Sequence, residues 1–352
     1  MEYAYVGSYT TEKRGGLGYG GISVFCRQSS EFPWREIQVF ERKNPSFLAF
    51  GKNPSTLYAV QSDGEWVAAF SIDPVNGTLR FLNERKIGFH NGVFLQTDRD
   101  SNFLVVCSCS GQCDGGIVSF RLKKDGSLGD IANIEIPAGT LGPLRLPQNA
   151  VKPHQAKFTP DYRYLVEVDK GLDAVNTYRM NDDGGLCLVS TTACRPGSCP
   201  RHIAFSQDGQ YAYILTEWFG TVVSCRFQDG VLSPMEILPT IPSTFLGMKN
   251  SAAEIEIHPN GKLLYVSNRE QNSIAAFRIK SDGTLQVIDW FDDHVSKPRF
   301  FAISEDGSEL YVANEKAHNV SRYQVDTETG HLTYLDADMS ASAPACILFR
   351  NT

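Results

Sequence analysis

The sequence predicts an all-β fold, a seven-bladed β-propeller with four antiparallel strands in each blade. Three observations predict it: a phrase of turn and strand residues that recurs along the 352 residues, a nearly constant spacing between its copies, and an incomplete unit at each end of the chain. Recurrence at a period of a few tens of residues is typical of repeat architectures. Because a closed ring of repeats forms one unit, we expect residues 1–352 to fold as a single domain.

The recurring phrase joins a turn dipeptide to a run of β-forming residues. Its clearest copy, at residues 206–214, reads Ser-Gln-Asp-Gly-Gln-Tyr-Ala-Tyr-Ile. An Asp-Gly or Asn-Gly pair beside β-forming residues is a strong signal for a hairpin. Each copy therefore predicts two antiparallel strands joined by a tight turn. Close copies begin at His258 and Ser304, and weaker ones begin at Gly51, Asp98 and Thr159.

A second hairpin follows each copy, so every unit is predicted to contain four consecutive antiparallel strands. Its turns are also marked, for example by Asp-Gly at 282–283 and Thr-Gly at 329–330. Most units start roughly 45 to 52 residues apart, which is the period of propeller blades. An insertion at residues 137–152 lengthens one unit. The first strands of the six complete units are expected to begin near Phe47, Gly92, His154, Arg201, Ala253 and Arg299.

The two chain ends each supply part of a seventh blade. The N-terminal region carries three predicted strands, at residues 4–8, 21–26 and 35–40, but no innermost strand. The C-terminus ends in one apolar strand at residues 344–349. Pairing this strand with the N-terminal three would complete a blade and remove the open edges of the ring. We therefore expect the ring to close through a blade that both termini share.

Composition and charge exclude several classes of function. The formal net charge of -7 gives no indication of the basic surface that binds nucleic acid. No apolar run approaches the ~20 residues of a membrane-spanning helix. The sequence begins directly in a predicted strand, without the charged and apolar segments of a signal peptide. We expect a cytoplasmic protein with no nucleic-acid or membrane partner, and its oligomeric state stays open.

The nine cysteines do not indicate a metal site. The stretch from Cys107 to Cys113 holds three of them, but no Cys or His pair follows at the spacing of a zinc site. We therefore expect neither a metal nor a cofactor. Five cysteines lie within predicted strands, where a reduced thiol is expected to be a small buried hydrophobe: Cys26, Cys107, Cys187, Cys225 and Cys346.

The geometry of a propeller blade predicts where charged side chains meet. The innermost strand runs along the central channel and the second strand returns antiparallel to it. The start of the first strand and the end of the second therefore lie at the same mouth of the channel. Four successive units carry charge at these positions. Any single member is more readily explained as a solvated loop residue or an inter-blade ion pair, but surface charges have no reason to favour this one edge of the ring as a set. The starts carry His154, Arg201, His202, Glu254 and Arg299, and the ends carry Asp169 with Lys170, Glu217, Arg269 with Glu270, and Glu315.

This combination of residues fits a small anionic substrate, a lactone or a carboxylate. Arg201 and His202 follow a proline, and Glu217 comes 16 residues later on the partner strand, so we expect a fixed cation, a titratable base and a carboxylate to lie together. The planar guanidinium suits recognition of carboxylate or phosphate. A histidine near neutral pH, or a buried glutamate, suits proton transfer.

Two other motifs are set aside. The glycine-rich stretch at residues 15–21 is similar to a phosphate-binding loop, but it lies between two predicted antiparallel strands with no helix behind it. We expect it to be a loop over the channel mouth. The sequence has no Gly-x-Ser-x-Gly motif, so nothing indicates a serine-hydrolase triad.

At these motifs the chain resembles the lactonase family of seven-bladed β-propellers. That family contains bacterial 6-phosphogluconolactonases of the propeller type and fungal carboxymuconate-lactonizing enzymes. The matching segments include Val-Gly-Ser-Tyr-Thr at 6–10, Pro-His at 153–154, Ser-Asn-Arg at 267–269 and Pro-Arg-Phe at 298–300. The resemblance spans nearly the whole chain, and it implies a propeller enzyme that acts on a lactone.

The resemblance also implies which residues act. His154, Arg201, Glu217 and Arg269 match the channel-mouth residues of the family. In a lactonase, the two arginines would hold the anionic group of the substrate and polarise the lactone carbonyl, and Glu217 or His154 would activate water. The other charged residues at the mouth are expected to bind substrate: His202, Glu254, Arg299, Asp169 and Glu315.

Three functions follow from these observations. The favoured one is a hydrolase that opens the lactone ring of a sugar acid, of the 6-phosphogluconolactonase type. The first alternative is a lactonizing cycloisomerase of aromatic catabolism, in which the same arginines would anchor the carboxylates of a muconate. The second alternative is a non-catalytic interaction scaffold, because propellers often serve as platforms.

Overall fold

The computed structural model describes residues 1–52, 54–109, 113–246 and 250–351. These residues form seven four-stranded sheets, each antiparallel throughout, and this confirms the predicted seven-bladed β-propeller. Asn53, which belongs to a weak copy of the repeated phrase, lies outside the described residues. So do residues 110–112 of the cysteine-containing stretch.

The strands follow the order that the repeats predict. Blade 7 combines the two chain ends, and blades 1 to 6 follow along the chain. The first three strands, β1 (Glu2–Ser8), β2 (Gly21–Arg27) and β3 (Arg35–Glu41), form the outer part of blade 7, and a short 3-10 helix, Glu12–Arg14, lies between β1 and β2. From the channel outward, blade 1 is β4 (Pro45–Phe50), β5 (Thr56–Gln61), β6 (Trp66–Ile72) and β7 (Leu79–Lys86), and blade 2 is β8 (Gly92–Thr97), β9 (Phe103–Ser108), β10 (Gly116–Leu122) and β11 (Leu128–Glu135).

The remaining blades repeat this order from the channel outward. Blade 3 is β12 (Pro153–Phe158), β13 (Leu165–Asp169), β14 (Ala174–Met180) and β15 (Leu186–Ala193), and blade 4 is β16 (Pro200–Phe205), β17 (Tyr211–Thr216), β18 (Thr221–Gln228) and β19 (Val231–Pro239). Blade 5 is β20 (Ala252–Ile257), β21 (Leu263–Asn268), β22 (Ser273–Ile279) and β23 (Leu285–Phe291), and blade 6 is β24 (Pro298–Ile303), β25 (Glu309–Asn314), β26 (Asn319–Val325) and β27 (Leu332–Ser340). The last strand, β28 (Pro344–Asn351), is the innermost strand of blade 7.

The ring closes through the two termini, as predicted. Strand β28 pairs antiparallel with β1, and Ile347 lies opposite Val6. The innermost strands contact one another in a cycle that returns to its start: β28, β4, β8, β12, β16, β20, β24 and again β28. Within residues 1–52, 54–109, 113–246 and 250–351, no helix has the length and apolar character needed to cross a membrane.

The tyrosine of the repeated phrase ties neighbouring blades together. The hydroxyl of Tyr265 in blade 5 donates to the carbonyl of Gly330, which lies in the outer turn of blade 6, at 3.0 Å. Tyr213 makes the same bond to Gly283 of the next blade at 3.1 Å. The turn residue must be glycine, because Gly283 has φ +80° and a Cβ there would lie 2.2 Å from the ring of Tyr211. The repeated phrase therefore stabilises contacts between blades as well as the hairpins.

The outermost strands are the exposed part of each blade. Strands β13 and β14 are almost entirely buried, whereas β15 is mostly exposed. Cys187 lies on β15 and is exposed, so the expectation that it is a buried hydrophobe was wrong. The sequence of β15 predicts a strand, but it does not show that the fourth strand of a blade faces solvent.

Tyr265→Phe should weaken the contact between blades 5 and 6. The change leaves the carbonyl of Gly330 without its donor, and we expect the free energy of unfolding to fall by about 1–2 kcal/mol. Equilibrium unfolding in denaturant measures this. Tyr19→Phe is the matched control, because Tyr19 is 67% exposed and should change stability by less than about 0.5 kcal/mol. Equal effects of the two variants would contradict the account.

Candidate active site

One backbone hydrogen bond repeats at the mouth of the channel in every blade. The residue that follows the second strand donates its N–H to the carbonyl of the residue just before the innermost strand, at 2.9 to 3.2 Å. This bond holds seven side chains at equivalent places around the mouth. We call these places the rim positions, and they are occupied by Tyr9, Ser62, Cys109, Lys170, Glu217, Arg269 and Glu315.

A second feature repeats just inside the rim. The pairing between the innermost strand and its neighbour shifts by one residue near the mouth in each of the seven blades. Such a bulge leaves one residue unpaired and redirects its side chain. In blades 3 to 6, most rim and bulge positions carry charged or titratable side chains. The bulge positions are occupied by Ser46, Val93, His154, Arg201, Ala253, Arg299 and Ala345.

Glu217 lies at the centre of a cluster of cations from three successive blades. Its Oε2 is 2.5 Å from the Nζ of Lys170 and 3.4 Å from the Nε of Arg201. Its Oε1 is 3.1 Å from the Nη2 of Arg269. The side chain of Glu217 is only 15% exposed, so solvent screens these interactions weakly. One carboxylate therefore faces three positive charges.

The excess of positive charge changes the proton affinity of the cluster. Burial alone would raise the pKa of Glu217, but Lys170, Arg269 and Arg201 together hold it well below its usual range. Burial, with Arg269 and Arg299 nearby, lowers the pKa of Arg201 to about 9. Positive charges that are held close together in a site with little solvent attract an additional anion. The cluster is therefore suited to bind an anionic ligand.

Two histidines and a buried glutamate lie next to this cluster. The ring centroids of His154 and His202 are 5.1 Å apart, and the Nδ1 of His202 is 2.7 Å from the Oε1 of Glu254. Burial raises the pKa of Glu254 to about 7. Burial and the charge of Arg201 hold the pKa of both histidines well below the usual range. His154 is therefore neutral near pH 7, and its Nδ1 has no hydrogen-bond partner in the described part of the chain.

Aromatic side chains fill the channel beside His202. The ring of Phe47 in blade 1 lies 4.9 Å from that of Phe94 and 5.8 Å from that of Phe300, measured between centroids. Phe47 and Phe94 also contact the His202 ring, at 6.4 and 6.3 Å. Because blades 1 and 4 lie across the ring from each other, these contacts span the channel. The charged cluster therefore borders an apolar region, where electrostatic interactions are strengthened.

A second group of charged residues lies in blade 6. Glu315 at the rim position is held by Lys297, whose Nζ is 2.6 Å from Oε1. Arg299 at the bulge position is 3.8 Å from the Oε2 of Glu315 through Nη1, and its guanidinium lies 4.9 Å from the centroid of the Tyr9 ring. The structure therefore places these two predicted residues together, but in a group separate from the ion pairs of Glu217.

The expected substrate contact of Asp169 is corrected by the structure. Its Oδ1 accepts hydrogen bonds from the backbone N–H groups of Gly171 at 2.7 Å, Leu172 at 2.9 Å and Lys152 at 3.0 Å. The residue is fully buried. Its carboxylate is therefore occupied by backbone donors and stabilises the turn after β13.

The next residue, Lys170, is one of the charged strand ends that the sequence indicates, but it was not assigned a role in the site. It occupies the rim position that Glu217 and Arg269 occupy in the following blades. Asp169 instead corresponds to Asn268 and Asn314, whose side chains also bind backbone groups of nearby loops. The last strand residue is structural and the following residue faces the mouth. A sequence alignment of the repeats on the strand ends would have shown this difference.

All nine cysteines are free thiols. Within the described ranges, no group of three or more His, Cys, Asp or Glu side chains is arranged to hold a metal ion. The expectation of a site without metal or cofactor stays a prediction. The glycine-rich stretch at residues 15–21 joins β1 to β2, which are antiparallel neighbours.

Comparisons with known proteins agree on the family. Residues 3–349 match the family described as "Lactonase, 7-bladed beta-propeller". A 6-phosphogluconolactonase of Bacillus subtilis is 31% identical over 351 residues, which cover 98% of this chain and 97% of that protein.

Solved structures extend this likeness to three dimensions. A protein of Bacteroides fragilis, provisionally named a 6-phosphogluconolactonase, superposes with a TM-score of 0.89 at 27% identity, covering 99% of this chain and 98% of that one. A periplasmic gluconolactonase of Pseudomonas aeruginosa superposes with a TM-score of 0.91 at 25% identity, covering 99% of both chains. These similarities support lactonase activity. The chain belongs to the lactonase family of seven-bladed β-propellers.

Proposed function

We propose that this chain hydrolyses the ring ester of a sugar-acid lactone, with 6-phosphogluconolactone as the substrate. The relatives named for this activity and for gluconolactone support the choice of substrate class. The observation that carries the proposal is the cluster around Glu217, where Lys170, Arg201 and Arg269 converge on one carboxylate. The surplus of positive charge suits both an anionic substrate and the negative charge that develops during ester hydrolysis.

The arginines supply electrostatic stabilisation in the proposed mechanism. Arg201 donates to the carbonyl of Ala253, and the Nε of Arg269 donates to the carbonyl of Ser251 at 3.0 Å. Both guanidinium groups are therefore held in place before substrate binds. When water attacks the lactone carbonyl, its oxygen becomes an oxyanion, and donors already in position stabilise that charge without reorganising.

His154 is the proposed base. Both carboxylate oxygens of Glu217 are engaged by cations, whereas His154 is neutral near pH 7 and its Nδ1 has no hydrogen-bond partner among the described residues. His154 would take a proton from the attacking water. The bond between the carbonyl carbon and the ring oxygen then breaks, and the proton passes to that oxygen. The products are a carboxylic acid and a free hydroxyl group, and Glu217 serves to position the three cations.

The remaining alternatives stay predictions. A lactonizing cycloisomerase would use the same groups, and nothing in the geometry favours it over hydrolysis. A scaffold role, a cytoplasmic location and the absence of nucleic-acid or membrane partners are likewise inferred from the sequence alone. One of the structural relatives is a periplasmic enzyme.

Arg201→Ala should abolish most of the hydrolysis. Losing one preorganised donor to an oxyanion typically lowers kcat by about 10²–10³-fold, and we expect a loss of that size. A pH-stat assay measures the acid released from 6-phosphogluconolactone after the spontaneous rate is subtracted. Arg226→Ala is the matched control, because Arg226 is an exposed residue of β18 away from the mouth. Activity that survives Arg201→Ala unchanged would refute the proposed site.

Comparing His154→Gln with Glu217→Gln tests the assignment of the base. His154→Gln should lower kcat by about 10²–10⁴-fold, the usual contribution of a general base. Glu217→Gln keeps the shape of the side chain that positions the three cations but removes its negative charge, so the cations should bind the anionic substrate more tightly and KM should fall more than kcat. Steady-state kinetics on the same lactone separate the two. A larger kcat loss in Glu217→Gln, with KM unchanged, would make Glu217 the base.

The buried Glu254 should make stability depend on pH. Its pKa in the folded protein is about 7, above the ordinary 4.5, so the folded state holds the proton more tightly than the unfolded state. Its contribution to the free energy of unfolding is full below the unfolded pKa and is lost as the pH rises through about 7. Between pH 5 and 8, the free energy of unfolding of the wild type should fall by on the order of 2 kcal/mol more than that of Glu254→Gln.

Denaturant unfolding at both pH values measures this difference. Other titrating groups, including Asp169, are present in both proteins and largely cancel. Parallel pH profiles for the two proteins would show that Glu254 is already ionised in the folded state.

A further inference from the structure

Besides the cluster around Glu217, the mouth holds a group of polar atoms without hydrogen bonds in blades 6 and 7. Arg299 occupies the bulge position of blade 6, and Tyr9 occupies the rim position of blade 7 next to it. The side chain of Arg299 is only 16% exposed, and it makes no hydrogen bond with any described residue. Its one ion pair, with the Oε2 of Glu315, is 3.8 Å long. Arg299 therefore has donors available for a ligand.

A neighbouring hydroxyl group and a neighbouring carboxylate oxygen also lack hydrogen bonds. The hydroxyl of Tyr9 is buried, in a residue that is 1% exposed, and it has no hydrogen-bond partner in the described part of the chain. The Oε2 of Glu315 is also buried without a hydrogen bond, and it contacts Arg299 through the 3.8 Å ion pair, while Lys297 neutralises this carboxylate through Oε1. Buried polar groups that lack partners are costly, so each needs an explanation such as a ligand or ordered water.

Arg14 lies against the same tyrosine ring as Arg299 but differs from it in its hydrogen bonds. Its guanidinium also contacts the Tyr9 ring, at 5.4 Å from the centroid. Unlike Arg299, it is held by two hydrogen bonds to Asp63, of 2.7 and 2.6 Å. Two arginines thus contact one tyrosine, and only Arg299 keeps its donors free. Of the two arginines, Arg299 is therefore the one whose donors are available to a ligand.

We propose that Arg299 and the Tyr9 hydroxyl form a second anion subsite that binds the terminal phosphate of a phosphorylated sugar lactone. The proposal rests on the proposed function, because the lactone ring would lie at Glu217, Arg201 and His154. A phosphate offers several acceptor oxygens, which matches a guanidinium fork together with a phenol donor. The reaction centre already has cations of its own in blades 3 to 5, so Arg299 is available for the other end of the substrate.

The two groups lie at the same mouth of the channel. Arg299 and Arg201 occupy equivalent bulge positions in blades 6 and 4, and Glu315 and Glu217 occupy equivalent rim positions. Phe300, the residue after Arg299, packs on Phe47 in the aromatic region of the channel. A ligand that bridges the two groups would therefore lie across the mouth above these rings.

The test compares two lactones that differ only in the terminal phosphate, 6-phosphogluconolactone and glucono-lactone. Arg299→Met should lower kcat/KM for the phosphorylated lactone by about 10- to 100-fold, the size of one or two lost charge-assisted hydrogen bonds. The value for the unphosphorylated lactone should change less than about 3-fold, well below the size of one such bond. Tyr9→Phe should show the same selectivity with a smaller loss. Arg14→Met is the matched control and should leave the ratio of the two values unchanged.

Each other outcome overturns the subsite. An equal loss on both lactones would place Arg299 at the reaction centre, and no loss on either would remove it from the site. Wild-type protein that prefers the unphosphorylated lactone would also contradict the proposal. Equal thermal unfolding midpoints of the variants and the wild type show that the fold is retained, and Arg299→Lys, which keeps the charge, should recover part of the selectivity.

Failure of the proposed function can be told apart from failure of the subsite. If the wild type hydrolyses neither lactone, the proposed function fails, and the subsite is judged by inorganic phosphate alone. Phosphate should raise the unfolding temperature of the wild type and of Arg14→Met, but not that of Arg299→Met, because a ligand stabilises the state that binds it. Equal stabilisation of all three proteins, or of none, would overturn the subsite.

Discussion

The site depends on one backbone hydrogen bond that repeats seven times around the channel mouth. The bond joins the end of the second strand to the start of the innermost strand in every blade. The register shift just inside it then redirects one more side chain per blade. Both features are made by the backbone, so they hold the same geometry whichever residue occupies them. The scaffold is therefore repetitive, and the chemistry depends on which side chains occupy equivalent positions in blades 3 to 6.

The residues at those positions create a charge imbalance that the fold maintains. Lys170, Glu217 and Arg269 occupy one kind of position in three successive blades, and Arg201 joins them from a bulge. A single carboxylate cannot neutralise three cations beside an apolar region that strengthens their fields. Burial, together with the charges of Arg201 and Lys170, keeps His154 neutral near pH 7. One arrangement of buried charges therefore both attracts an anion and keeps the proposed base neutral.

The sequence predicted the architecture better than it predicted the site. The repeated turn and strand phrase, its spacing and the incomplete ends were enough for the seven blades and the shared seventh blade, because hairpin turns and strand patterns are local. The strand ends were predicted to within one residue, and that residue decides whether a side chain faces the mouth: Asp169 caps a turn, and Lys170 binds Glu217. Pairings between blades, such as that of His202 with Glu254, depend on the ring closing and cannot be found from one repeat.

The most direct test of the account is a crystal structure with the product 6-phosphogluconate, the acid that hydrolysis would release. The account predicts that its carboxylate contacts Arg201 and Arg269 beside Glu217, and that its phosphate contacts Arg299 and the Tyr9 hydroxyl. Density for the product at the opposite end of the channel or between blades would contradict the account. So would an unoccupied mouth at saturating product concentration.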